Sequence, residues 1–578
     1  MTGPAAPKDP EKARPFFYIL KDKDIFGERQ KDGTGIQFIY ESDGRLINSA
    51  QITGNVTDKE ELTLLETVEG FGRLVHSIGV SVETDRPEET AEFVFQMYGK
   101  KDLYGGGTNL TTSLKCDGME HRIYLSDYRW TEDDHVPGQI KILFAAPERM
   151  GKVSVRLFLN DGYEAPPEEE DLVIDMHSEE YCGMISRSLL QLGNPYRIRK
   201  AIEKSKAGKE VTLAYIGGSI TQGAGAIPIH TECYAYKSFQ LFQNRFSTQN
   251  NVRFIKAGVG GTPSELGMIR FDRDVLREGE RPDIVVIEFA VNDEGDETKG
   301  VCYESLVRKV LKLPWKPAVV LLFSVFANDW NLQERLRPVG DLYDLPMVSI
   351  LNAVTPQFSL KCGEGRILSK NQFFYDIFHP NNTGHTIMAD CLQYLFERCD
   401  AAEPARVGTF VEGMTEEQIL SEKLFGPAVI GADFERIFLL DKKNRYVGAK
   451  IRAGSFTSTD IELQSVEMDG SLTQTPEFPY NWMYDGSRLQ MAGFEMEITC
   501  KSLFLIFKDS GETDVGKANV FVNDVYCMTA DPHKNNWLHC NAVLLFWETE
   551  SRSHKVRIAV TEEDRNKKFT ILGFGYTI

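Results

Sequence analysis

Two textures of hydrophobic spacing divide the chain. From about residue 15 to 185, short apolar runs alternate with polar positions at period two. Ile36, Phe38 and Tyr40 share one side, and Val153, Val155, Leu157 and Leu159 repeat the pattern. Gly and Asp turn signals separate the runs GTGIQFIYESDGRL, GRLVHSIGVSVETD, TAEFVFQMYG, HRIYLS, GQIKILFAA and GKVSVRLFLNDGYE. Such alternation predicts half-buried antiparallel strands, and many short strands predict a β-sandwich. The acidic, proline-bearing run Ala165 to Asp171 reads as a surface loop near its end.

At about residue 190 the pattern changes. NPYRIRKAIEKSKAGKE reads as a helix stopped near Gly208, and VTLAYI is a continuous apolar run of the kind a strand covered on both faces requires. The alternation continues through ECYAYKSFQLFQNRF (helix), VRFIKA (strand), SELGMIRFDRDVL (helix), DIVVIEFA (strand), CYESLVRKVLKL (helix), PAVVLLFSVFA (strand) and MVSI (a short fifth strand). The amphipathic helix GHTIMADCLQYLFERC closes it. Strand–helix alternation at this spacing predicts an α/β fold, a three-layer α/β/α sandwich on a mainly parallel sheet. After about 405 the short strands return in ERIFLLD, SLFLIFKD, KANVFVND, AVLLFWE, HKVRIAV and FTILGFGY, a second β-sandwich with no alignable repeat of the first. The expected division is 1–189, 190–404 and 405–578.

Length agrees with that division, since 578 residues at ~150 per domain give three or four domains. With 42% hydrophobic and 26% charged residues, the composition excludes a largely disordered or fibrous chain. The net charge of −20, with no Lys/Arg cluster, excludes nucleic acid as a partner. Charges and prolines interrupt the N-terminal stretch MTGPAAPKDPEKARPFFYIL, which lacks a signal-peptide core. The longest apolar stretch, Pro317 to Ala327, is too short to span a bilayer, so no membrane is expected. The ten cysteines form no C-x-x-C pair and suggest no disulfide scaffold. These features point to the cytoplasm, where the N-x-T sequences at Asn55, Asn109 and Asn381 carry no glycosylation meaning.

The candidate chemistry gathers where the parallel strands end. VTLAYI runs into Gly217-Gly218-Ser219-Ile220-Thr221, placing a serine just past a strand's carboxyl end, where open α/β sheets hold their reactive groups. This is not the G-x-S-x-G elbow, because Thr221 stands two beyond Ser219. VRFIKA ends in Gly258-Val259-Gly260-Gly261-Thr262, and DIVVIEFA ends in Val291-Asn292-Asp293. Bare backbone N–H groups and an asparagine amide can together form an oxyanion hole. The plainer alternatives are a tight turn at the glycines and a turn cap at Asn292. A phosphate loop is disfavoured because no G-K-[ST] follows. Asp376 and His379, three apart in DIFHP, allow one short loop to hold carboxylate against imidazole, leaving the other ring nitrogen to take a proton from Ser219. The alternative is an Asp–His pair capping the last helix. His385 is given a structural role.

Metal readings compete poorly. His379 and His385 lack the zincin spacing, and no thiolate pair supports zinc. His533, His539 and Cys540 form a mixture that could bind a metal, but a solvated loop is the favoured reading. Neither a metal nor a cofactor is expected.

These blocks resemble those of the SGNH hydrolases, the GDSL-like esterase and lipase superfamily. AYIGGSIT, KAGVGGTP, EFAVND and DIFHPNNTGH stand in the family's order, over about 190 to 400. The resemblance implies Ser219 as nucleophile, with Asp376 and His379 completing a triad. It also implies an oxyanion hole of Ser219, Gly261 and Asn292. Three departures mark a divergent branch, more similar to multidomain carbohydrate esterases than to small lipases. Gly218 replaces the usual aspartate of G-D-S, Ala290 replaces a glycine before the Asn-Asp pair, and Lys256 replaces an asparagine.

The expectation is a serine esterase that removes short acyl groups, above all acetyl, from oligosaccharides through an acyl-enzyme. A lipid esterase or thioesterase and a non-catalytic glycan-binding or scaffold protein are the alternatives. No lid-like apolar helix flanks the active loops. Tyr480, Trp482, Tyr484 and Trp537 are candidates to stack on sugar rings, against a plainer role in filling cores or domain interfaces. Oligomeric state is not legible.

Overall fold

Six strands build the central sheet. Their order is Leu189–Gln191, Met347–Ser349, Ala318–Phe323, Ile284–Glu288, Val211–Gly217 and Val252–Gly258. Neighbours are parallel except at the first pair, where Leu189–Gln191 runs antiparallel to Met347–Ser349. The computed structural model describes residues 12–39, 45–101, 105–168, 170–277, 279–402, 416–468, 473–487 and 492–578.

The apolar runs have the physical cause expected of them. On Val211–Gly217, Leu213 and Tyr215 enter one core while Ala214 and Ile216 enter another. Ile284 and Val286 alternate with Val285 and Ile287 in the same way. Helices Tyr196–Lys206, Tyr234–Phe246, Ile350–Phe358 and Asn382–Ala401 supply the first core, and Ser264–Phe271, Val301–Leu311 and Gln333–Tyr343 supply the second. A strand buried on both faces has no use for polar alternation. The chain leaves Val211–Gly217 for the edge strand Val252–Gly258, then crosses to Ile284–Glu288 on the other side. The direction of winding reverses there, and the diverging loops open a crevice at the carboxyl ends of these strands.

The N-terminal region holds two antiparallel sheets around one core. One has the order Phe16–Phe26, Met150–Leu159, Val75–Thr84, His121–Tyr124. The other has Glu28–Arg29, Gly35–Phe38, Asp134–Phe144, Thr90–Gly99, Asn109–Lys115. Phe16–Phe26 does not read as a strand from its sequence, because Asp22 takes a positive φ of 51° and the pairing register shifts between Leu20 and Lys23. The irregularity breaks the period-two signal. Helices Arg45–Thr53 and Val68–Leu74 also lie in this region, the second overlapping at 72–74 the run read as strand from Gly72.

The expected boundary at 189 falls inside the central unit. Helix Glu179–Ser186 sends Tyr181, Met184 and Ile185 into the central core, and Tyr181 Oη donates to Asp390 at 2.6 Å. The junction at 404/405 lies outside the described residues.

In the C-terminal region, AVLLFWE and HKVRIAV belong to one strand, His539–Val560. Register shifts near Cys500–Phe504 bend it with its partner Phe494–Asp509. One half pairs with residues 502–509 and the other with 494–500. This region is welded to the central unit. Phe434, Phe478, Phe504 and Leu572 share a core with helix Ser264–Phe271, fully buried. At ~1.5–3 kcal/mol per buried side chain of this size, separating the two is costly.

Candidate active site

Ser219 opens the short helical turn Ser219–Gln222 directly after strand Val211–Gly217. It therefore stands at the crevice where the sheet's winding reverses. The loop from Asp376 to His379 lies against it. His379 Nε2 is 2.9 Å from Ser219 Oγ, and His379 Nδ1 is 2.9 Å from Asp376 Oδ2. Asp376 Oδ1 accepts the backbone N–H groups of Phe378 and His379, each at 2.8 Å. The carboxylate thus shapes its own loop while holding the ring. Since it accepts from Nδ1–H, Nε2 is left as the acceptor for the serine hydroxyl, a tautomer assigned from the network. Both side chains are 19% exposed.

Asn292 follows strand Ile284–Glu288 and lies beside Gly218. A Cβ at position 218 would meet the Asn292 amide atoms at 2.3 to 2.6 Å. With φ −85° there is no left-handed backbone to explain the glycine, which serves close approach. Gly261 has φ +68°, and a Cβ there would press on Trp537 Cζ2 at 2.9 Å and His539 Cε1 at 3.1 Å.

Trp537 and His539 come from the C-terminal region, and sequence reasoning placed His539 in a solvated loop. The structure corrects this. His539 is buried, burial pulls its pKa down to about 4, and its ring lies 4.5 Å from that of Trp537. Gln464 ties the same contact. Its Nε2 donates to Gly260 O at 2.9 Å and its Oε1 accepts the Cys540 N–H at 3.0 Å. Trp537 remains 43% exposed over the glycine loop, whereas Trp482 and Tyr484 are buried in the C-terminal core. Tyr480 is exposed with Lys443 over its ring.

The N-terminal region reaches the site from the other side. Lys23, buried between the two units, donates through Nζ to Phe374 O. Burial lowers its pKa to about 8, while the charge of Asp376 opposes that fall. No local signal marks this lysine in the sequence.

Behind the serine, Thr221 Oγ1 donates to Glu288 Oε2 at 3.1 Å and lies 2.8 Å from Tyr234 Oη. Burial raises the Glu288 carboxyl to about 7. His385 is buried. Its Nδ1 accepts the Tyr234 N–H at 3.1 Å, and its Nε2 is 3.1 Å from Ala224 O. Burial lowers its pKa to about 3, so it is a neutral bracket between loops. Lys256 Nζ donates to Gln222 O at 3.1 Å beneath the serine turn. Among the described residues, no three His, Cys, Asp or Glu side chains are grouped to hold a metal, and His533 Nε2 lies 3.0 Å from Glu512 O.

Comparison with known proteins finds one matching family model and several similar structures. Residues 215–387 match the family model of the GDSL-like Lipase/Acylhydrolase family. The crystal structure of a two-domain esterase active on acetylated mannans is similar over 68% of this chain and 98% of that chain, with 24% identity and a TM-score of 0.55. A crystal structure bearing the same description, with mannopentaose, covers the same shares at 24% identity and a TM-score of 0.53. At this identity the likeness speaks for the fold. No curated protein matches the sequence.

Proposed function

Taking residues 215–387 as a GDSL-like acylhydrolase domain and the chain as a carboxylic ester hydrolase, we propose that it removes acetyl groups from oligosaccharides with Ser219 as nucleophile. The observation that carries this reading is the continuous chain Ser219 Oγ, His379 Nε2, His379 Nδ1, Asp376, with both links at 2.9 Å.

In this mechanism His379 takes the Ser219 proton as Oγ attacks the ester carbonyl. The Asp376 carboxylate holds the ring and stabilises the imidazolium that forms. Backbone N–H groups of Ser219 and Gly261 and the Asn292 amide receive the oxyanion. His379 then protonates the leaving alcohol, and water, activated by the same imidazole, releases the acid from the acyl-serine.

Two observations favour a small acyl group on a sugar. The rings of Trp537 and His539 stand against Gly261 on the proposed oxyanion side. The structurally similar esterase acts on acetylated mannans. On this reading the three-layer α/β/α unit, with its boundary moved ahead of residue 189, is flanked by two β-sandwiches that both touch the catalytic loops. The ten cysteines are all free thiols, which favours a cytoplasmic enzyme acting on imported oligosaccharides. The test is acetate release from acetylated manno- and xylo-oligosaccharides, set beside hydrolysis of p-nitrophenyl esters from acetate to decanoate. A rate that climbs steadily to decanoate, with no acetate released from sugars, rejects the proposal in favour of a lipid esterase.

A further inference from the structure

A cavity of about 640 Å³ opens between the N-terminal region and the central unit, within the range of small-molecule sites (~300–1,000 Å³). One wall is the N-terminal region, with Phe16 and Tyr18 on a strand and Asn48, Gln51 and Asn55 at and after helix Arg45–Thr53. The facing wall comes from the loop after strand Ala318–Phe323, with Phe326 and Asn328, and from the end of helix Ile350–Phe358, with Phe358 and Ser359. Ile377 and Phe378 line it too, so the loop that holds His379 forms part of the cavity.

The lining has a definite chemical character. Phe378 is 36% exposed and meets Phe326 edge-on at 5.0 Å, leaving aromatic surface in the cleft. The side-chain amides of Asn48, Gln51, Asn55 and Asn328 make no hydrogen bond among the described residues. The charges are largely spent on one another. Lys21 pairs with Glu168 at 3.5 Å, Arg366 with Asp171 at 3.5 Å, and Lys370 with Asp329 at 3.1 Å. Aromatic faces beside free amides, with charges already paired, suit a neutral polyhydroxylated ligand and give an ionic one little to bind.

The cleft is also built in advance. Asn371 Nδ2 donates to Asp171 Oδ2 at 3.1 Å and to Lys21 O at 3.4 Å, and Lys23 is anchored on Phe374 O. Two walls held this way pay little ordering cost when a ligand enters.

We propose that this interdomain cleft binds unsubstituted sugar residues of a neutral oligosaccharide, so that the N-terminal region selects the glycan whose acylated residue reaches Ser219. The proposal rests on the carbohydrate-esterase reading above and adds a second binding site to it.

The test uses the full chain, with mannopentaose, xylopentaose and trigalacturonate as calorimetric titrants. Gln51→Trp and Ser359→Trp fill the cleft from opposite walls at exposed positions, and melting curves check the fold. A neutral pentaose should bind the wild type, with both variants weakening it by about tenfold or more. The ratio of kcat/KM on acetylated oligosaccharides to that on p-nitrophenyl acetate should fall in parallel. Equal pentaose affinity in wild type and both variants overturns the cleft, as does tighter binding of trigalacturonate or no pentaose binding at all. Cleft-dependent pentaose binding without any acetate release would instead retain the cleft and reject the esterase reading.

Discussion

The Asn292 amide occupies the space into which a side chain at Gly218 would project, with Oδ1 2.3 Å from the position of a Cβ there. The residue next to the proposed nucleophile and the proposed oxyanion donor are therefore fitted to one another. Asn292→Ala should lower kcat by about 10²–10³, the usual cost of one oxyanion donor. Gly218→Ala should do comparable damage by pushing the amide aside. The double variant should be little worse than either single one, because both remove the same interaction. Steady-state kinetics on p-nitrophenyl acetate checks this, and additive losses would show that the two residues act separately.

Asp376→Asn should leave the loop in place while supplying an amide where the ring needs an acceptor. The histidine tautomer is then wrong for accepting the serine proton, and kcat should fall by about 10⁴ with KM little changed. A fall of only a few-fold would make Asp376 a loop-shaping residue, a role its bonds to the Phe378 and His379 N–H groups already give it.

Trp537 stands against Gly261, on the proposed oxyanion side. If it limits acyl length, Trp537→Ala should raise octanoate hydrolysis relative to acetate, each newly buried methylene contributing up to ~0.8 kcal/mol. An unchanged chain-length profile in the p-nitrophenyl series places the limit elsewhere.

How far the sequence carried this reading depends on how local each signal is. Four of the five parallel strands show as apolar runs because both faces of each are buried, whereas the edge strand Val252–Gly258 carries the exposed Arg253. Ser219, the glycine loop and Asn292 show because each follows a parallel strand, and His379 shows by its spacing from Asp376. Gln464, Trp537 and His539 reach Gly260 and Gly261 from more than 200 residues away, and Lys23 reaches Phe374 from 351 away. Contacts between units leave no periodicity in either partner. The strand His539–Val560 reads as two because its polar middle, Glu548 to Ser551, bulges out of the ladder between the pairs Trp547–Ser502 and Arg552–Cys500.

Glu288 predicts a pH effect on stability. Burial raises its folded pKa to about 7 from an ordinary 4.5. The folded state holds this proton more tightly than the unfolded one, so its stabilising effect is complete below about 4.5 and is lost as pH rises through about 7. Glu288→Gln removes the buried charge while keeping an acceptor for Thr221. Its Tm relative to wild type should rise from pH 5 to pH 9, reflecting roughly 2–3 kcal/mol. A Tm difference that is flat across that range contradicts the assignment.

The most direct measurement is acetate release from acetylated manno- and xylo-oligosaccharides by wild type and Ser219→Ala. Both proteins should melt alike, since one hydroxyl in a crevice is removed. The wild type should release acetate from at least one of these sugars faster than it hydrolyses p-nitrophenyl acetate, and the variant should release none above the uncatalysed rate. Acetate release by Ser219→Ala at near wild-type rate would contradict the account.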